Sequence, residues 1–161
     1  MSMDFSKEEF DLGKINQTLK YAFDWENLTS EFLLVEAQKY TIENDKMVPD
    51  GDKREYWIVM QNPKNRDVIA YCVLYQKLHT IEGFVVSSKY RNKGNGQRFL
   101  QFCIEQFGIN TIEVYASNYT ALRLYKRVGF QVVASRMEGN HKLHTMKLFN
   151  KSNTTLEAYL I

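Results

Sequence analysis

Cysteine is scarce in the 161-residue chain. The two that occur, Cys72 and Cys103, sit in apolar runs ("IAYCVLY" and "RFLQFCIEQF"), which reads as buried free thiols rather than a disulfide or a nucleophile. Histidine is as sparse. His79, His141 and His144 lack the spacing to cysteine or carboxylate partners that a structural zinc site needs, so no metal is expected. Long hydrophobic runs are missing too: "FLLVEA" and "YCVLY" fall far short of the roughly 20 residues that cross a bilayer. The start, "MSMDFSKEEFD", is acidic and has no apolar segment, so it does not read as a secretory signal. Excess charge of one sign is absent: 21 basic and 19 acidic residues leave a net charge of +2. That gives no general reason to expect nucleic acid or an anionic membrane as partner, and the cations Lys89, Arg91, Lys93, Arg98, Arg123, Lys126 and Arg127 belong to no nucleic-acid motif. These absences point to a cytoplasmic protein without membrane or nucleic-acid partners.

What is present suffices for one compact domain over residues 1–161, since 44% of residues are hydrophobic and 14% aromatic. The first fifty residues are the least legible. Ser6 and Glu9 stand at capping-box spacing and suggest a helical start. "LTSEFLLVEAQKYTIE" predicts a helix capped by Thr29 or Ser30, with Leu33, Ala37 and Tyr40 on one stripe, and "MVPDGDKRE" predicts a loop. From residue 56 the pattern sharpens. "YWIVMQ" and "DVIAYCVLYQ" are strands joined by the turn-forming "NPKNR", and "HTIEGFVVSS" is a third strand whose internal Gly83 marks a bulge. Phe99, Leu100, Cys103, Ile104 and Phe107 then recur at helical spacing up to Gly108. "TIEVYA" is a strand, and Asn118 opens a helix with Ala121, Leu122, Tyr125 and Val128 on one face, ended by Gly129. "FQVVASRM" and "HKLHTMKLF" close the pattern as a hairpin around Glu138, Gly139 and Asn140, and the tail "NKSNTTLEAYLI" is a loosely attached end.

The junction "YRNKGNGQRFLQFC" between third strand and helix carries the chemistry. A glycine-rich loop entering a helix presents free backbone N–H groups and the positive end of the helix dipole, a setting for an anion such as phosphate. Gly94 and Gly96 allow close backbone approach, and Arg91 and Lys93 supply local charge. A nucleoside triphosphate is disfavoured because G-x-x-x-x-G-K-[ST] is missing. The dinucleotide fingerprint fails as well, since Phe99 stands where its third glycine would be.

The stretch "RNKGNG", Arg91 to Gly96, resembles the R/Q-x-x-G-x-G/A signature of the GNAT acetyltransferase superfamily. "NYTALRLYKRVGF", Asn118 to Phe130, resembles that family's following motif, and the resemblance covers about residues 56–149. It implies an α/β (α+β) fold: a mixed, mostly antiparallel twisted sheet of six to seven strands flanked by helices. Residues 1–55 would be the variable acceptor side, 56–149 the acetyl-CoA-binding core and 150–161 a tail. The donor would be acetyl-CoA, with coenzyme A as product. The loop, comprising Asn92, Lys93, Gly94, Asn95, Gly96 and Gln97, would hold its pyrophosphate together with the Arg91 side chain. The strand residues Phe84, Val85 and Val86 would meet the pantetheine through their backbone, and Asn118 and Tyr125 would contact the same arm.

Acetyl transfer to an amine needs a neutral amine, a polarised thioester and a proton for the departing thiolate. Primary amines titrate near the lysine value of about 10.4, so a base is useful at neutral pH. Glu82 shares a strand face with Phe84 and Val86 and takes that role by position; His79, Glu113 or a water chain remain open. A backbone N–H near Val86 would stabilise the developing oxyanion. Tyr125, a phenol with an ordinary pKa near 10, would protonate the thiolate. The acceptor stays open among small-molecule amines, peptide amino termini and lysine side chains, with Asp50, Asp52 and Glu55 a further acidic group that could draw a cation. An acetyl-CoA-binding regulatory or scaffold module without transfer activity is the alternative reading, and unpaired edge strands leave homodimerisation open.

Overall fold

The computed structural model describes residues 24–75 and 78–149. Within them lie eight strands and two α-helices: β1 (Asp24–Asn27), β2 (Phe32–Glu43), β3 (Lys46–Gln61), β4 (Val68–Tyr75), β5 (Thr80–Val86), α1 (Asn95–Phe107), β6 (Thr111–Tyr115), α2 (Tyr119–Val128), β7 (Phe130–Glu138) and β8 (His141–Leu148). This is the expected mixed, mostly antiparallel α/β fold, with eight strands in place of six to seven. The capping-box pair Ser6 and Glu9 and the tail from residue 150 lie outside the described residues. Two compact units are separable among the described residues: one holds 24–74 and 84–95, the other 75, 78–83 and 96–149.

In the first unit, β1 to β4 form an antiparallel meander in chain order. Here the helix expected over residues 28–43 is a strand. Leu33 and Ala37 are four apart and so satisfy a helical stripe, but Val35 between them is also fully buried, and the operative period is two. Pairing with β1 on one side and β3 on the other satisfies the backbone of residues 33–36, an arrangement that local propensity cannot foresee. Thr29 does cap, but what it caps is a turn: its Oγ1 accepts from the amides of Glu31 and Phe32 at 3.0 and 3.1 Å.

The expected loop "MVPDGDKRE" is likewise part of β3, which begins at Lys46. Asn44 and Asp45, both at positive φ (51° and 62°), make the two-residue connection that turns β2 back on itself, as the primed hairpin turns require. Pro49 is accommodated opposite Tyr40 where the register shifts between Gln38 and Tyr40. The Gln38 amide spans that irregularity by donating to the Gly51 and Lys53 carbonyls. A proline and a glycine within a strand are thus explained by a bulge. Leu33, Val35, Trp57, Val59, Tyr71, Val73 and Val85 pack as this unit's core, with the Trp57 and Tyr71 rings 5.3 Å apart.

The second unit has strand order β5-β6-β8-β7. β5 and β6 are parallel through Thr80↔Thr111 and Ile81↔Ile112, whereas β6–β8 and β7–β8 are antiparallel. α1 buries Phe99, Leu100 and Cys103, and α2 buries Leu122 and Tyr125, the faces read from their periodicity. Gly108 and Gly129 end the two helices as expected, at φ of +65° and +123°. Both cysteines are buried and outside any disulfide.

Gly129 is the glycine least open to change. A Cβ there would lie 3.3 Å from the Phe149 carbonyl and 3.4 Å from Leu148 Cδ1, on a backbone that side chains rarely adopt. Gly129→Ala is expected to cost about 1–3 kcal/mol, read as a lowered midpoint in urea unfolding with unchanged slope.

Candidate active site

The glycine loop is built in the first unit from its own backbone. After β5 ends at Val86, Ser87 N–H donates to the Ile69 carbonyl at 2.8 Å and a single 3-10 turn spans Ser88–Tyr90. Tyr90 OH and Lys89 Nζ both reach Asp67, at 3.0 and 3.4 Å, which fastens the turn to the β3–β4 connection. Arg91 then folds back: its Nε donates to the Val86 carbonyl at 3.0 Å. The Arg91 side chain, expected to serve as a phosphate ligand, also braces the loop against the end of β5. Asn95, the first residue of α1, closes the loop by donating its side-chain amide to the Tyr90 carbonyl at 2.9 Å.

Between these braces the backbone alternates. Asn92 and Gly94 both have positive φ, 60° and 78°, and successive N–H groups in such a segment converge to form an anion-binding concavity. At Gly94 a Cβ would meet nothing within 4 Å, so the outer side of the loop is open to a ligand. Loop residues expected from the sequence are therefore brought together, and the anchors Asp67, Tyr90 and the Asn95 amide are additions. Asp67 is over twenty residues from its partners in sequence, so no local spacing announces it.

Gly83, read from the sequence as the mark of a bulge, is a left-handed residue, φ +61°, two residues past Ile81, the last residue of β5 in parallel register with β6. Val85 turns into the first unit's core, so its contribution to any ligand is through its backbone.

In the second unit, Asn118 is the N-cap of α2. Its Oδ1 accepts from Ala121 N–H at 3.3 Å, and its own N–H donates to the Tyr115 carbonyl. Tyr125, one helical face further on, is only 2% exposed and packs edge-on to Phe130 with ring centroids 6.4 Å apart. Glu82 accepts a short hydrogen bond from Tyr75 OH at Oε1.

The two alternative proton acceptors each have a partner of their own. His79 Nδ1 lies 3.3 Å from the Phe107 carbonyl at the end of α1. Glu113 is ion-paired with Arg136 at 3.3 Å, and Arg136 also reaches Glu138 at 3.7 Å. Burial, with the carboxylates of Glu138, Glu82 and Glu113, raises the Tyr115 pKa above its ordinary 10.0 against the opposing Arg136. Among the described residues no group of His, Cys, Asp and Glu is arranged to hold a metal ion, and no helix is long and apolar enough to cross a membrane.

A strand, a braced glycine loop, a helix and a capped second helix in this order match the model of the acetyltransferase (GNAT) family over residues 19–130. The chain belongs to that family. The match reaches forward of residue 56, where the sequence resemblance begins. Among solved structures, apo-form YjaB from Escherichia coli is similar at 17% identity with a TM-score of 0.52, covering 58% of this chain and 65% of that one. A putative GNAT-family acetyltransferase from Bordetella pertussis is similar at 13% identity with a TM-score of 0.50, covering 59% and 66%. At these identities the likeness is one of fold, and the chain spans just under two thirds of each. A search of curated proteins found no match.

On β8, His144 Nδ1 lies 2.7 Å from Ser135 Oγ of β7. Burial, then the charges of Lys142 and Lys126, lower its pKa from the ordinary 6.5. The unfolded chain therefore takes up the proton more readily than the folded one, so the stability His144 contributes is complete above pH 6.5 and is lost as pH falls below it. Thermal melts from pH 7.5 downward are expected to show a decline in midpoint below pH 6.5 that is shallower in His144→Asn.

Proposed function

We propose that the chain transfers the acetyl group of acetyl-CoA to a primary amine by direct attack within a ternary complex. One observation carries the reading: the Asn92–Gly94 backbone, with its two positive-φ residues, sits between braces at Arg91 and Asn95 immediately ahead of α1. Side-chain bonds have already set this backbone, so binding a diphosphate there costs little further ordering. The residues fit the donor: Gly94 has open space where a Cβ would stand, and the amides from Asn92 to Gly96, with Gln97 in the first helical turn, face a ligand that carries negative charge. Lys93 adds a mobile cation. When bound, acetyl-CoA supplies an activated acyl group as its thioester.

The chain's own groups do the rest. The backbone of Phe84, Val85 and Val86 orients the pantetheine arm, and Asn118 caps the start of α2. Glu82 Oε2, the oxygen that Tyr75 does not engage, takes a proton from the ammonium form of the acceptor or from a water next to it. Tyr125 OH gives a proton to the thiolate; its burial keeps water from competing for that position. The acceptor is a small-molecule or peptide amine.

Two measurements test this reading. Calorimetric titration with acetyl-CoA should show micromolar binding that is lost when the diphosphate is removed from the ligand. Gly94→Val should weaken it at least about tenfold, because a β-branched residue at φ +78° distorts the loop; wild-type affinity would sink the loop assignment. For Tyr125→Phe, turnover is expected to fall about 10²-fold while acetyl-CoA affinity holds. A loss of affinity comparable to the loss of rate would assign Tyr125 to packing instead.

A further inference from the structure

Glu82 stands among groups that compete for it. Tyr75, the last residue of β4, is 36% exposed and donates its hydroxyl proton to Glu82 Oε1. From β6, Tyr115 and Glu113 face the same cluster, and from β7, Arg136 and Glu138 do so; the charge of Glu82 is felt by both Tyr115 and Arg136. An arginine beside a carboxylate normally captures it, and a carboxylate held in such a pair is a poor proton acceptor. In this cluster Glu113 and Glu138 hold the guanidinium, at 3.3 and 3.7 Å. A neutral phenol holds Glu82. That fixes one oxygen of the carboxylate and leaves the other for a proton.

The geometry points to Tyr75 as the positioning residue that orients the Glu82 carboxylate for proton transfer from the acceptor amine. The inference rests on the proposed role of Glu82 as base and adds to it a residue from a different strand, seven positions away in sequence. A phenol suits the task better than a cation would. It directs a lone pair without adding positive charge next to an incoming ammonium group, so the acceptor meets carboxylate rather than a neutralised pair.

Two readouts test the inference. In chains carrying tyrosine labelled with carbon-13 at Cζ, free of any ligand, the signal absent from Tyr75→Phe belongs to Tyr75. It should move in Glu82→Gln, and an unmoved signal would overturn the contact. Thiol release from acetyl-CoA, with n-butylamine as the probe amine, then reads the catalytic consequence. Tyr75→Phe should lower the rate about tenfold with calorimetric affinity for acetyl-CoA unchanged, and should have no further effect in the Glu82→Gln background. Deficits that multiply in the double variant would overturn the positioning role while leaving Glu82 as base. A wild-type rate in Glu82→Gln would overturn the base itself, and no thiol release from the wild-type chain would overturn the transfer reading on which both stand. Tyr75→Phe removes a single oxygen from a partly exposed ring, so a thermal midpoint near that of the wild type is expected.

Discussion

The parallel pairing of β5 with β6 constrains everything around the candidate site. An antiparallel neighbour can be reached by a two-residue turn, as β2 reaches β3 through Asn44 and Asp45, but a parallel neighbour requires the chain to return to the end it left. The return here is the glycine loop followed by α1. Both therefore lie between β5 and β6 in sequence, and the loop opens at the carboxyl end of a strand, where helix N-termini and exposed amides gather in α/β folds. Thr80↔Thr111 and Ile81↔Ile112 make up the paired stretch. Two residues later Gly83 adopts a left-handed conformation, and β5 continues as Phe84–Val86, whose Val85 packs into a different core. Between the two stretches, Gly83 takes a left-handed conformation that glycine adopts at no steric cost.

Two kinds of polar group surround the candidate chemistry, and they do different work. Around the loop, Asp67, Arg91 and Asn95 bond to carbonyls, a hydroxyl and an amine of the protein itself, so their effect is to brace the Asn92–Gly94 backbone. Around Glu82, charges are sorted. Arg136 is committed to Glu113 and Glu138, and a phenol rather than a cation meets Glu82. Surface ion pairs of this exposure contribute little to stability. Their consequence is electrostatic selection of which carboxylate remains available.

Much of this was readable from residues 56 onward. The periodicities of α1 and α2, the glycines that end them, the Asn118 cap and the NPKNR and EGNH turns are local devices whose physics acts over three to five residues, so sequence spacing carries them intact. The anion-loop reading of Arg91 to Gly96 rests on the same kind of signal. The region from Phe32 to Glu55 was misread because its signals conflict locally. Leu33 and Ala37 satisfy both periods, Thr29 is as good at capping a turn as a helix, and Pro49 with Gly51 imitates a loop within a strand. The conflict is resolved by neighbours: a segment flanked by β1 and β3 gains hydrogen bonds on both edges, which no property of the segment itself announces.

The chain's own order of residues determined where the two helices begin and end, where the glycine loop lies, and which helix residues form buried faces, because each depends on near neighbours. Tertiary structure alone decided that residues 32–43 are a strand, that Arg91 braces the loop through Val86, that Asp67 anchors Tyr90, and that Tyr75 rather than Arg136 holds Glu82. The physical reason is common to all four. Hydrogen bonds and ion pairs are short-range and directional, so their partners are chosen by what folding brings within about 3 Å, and sequence separation carries no record of that distance.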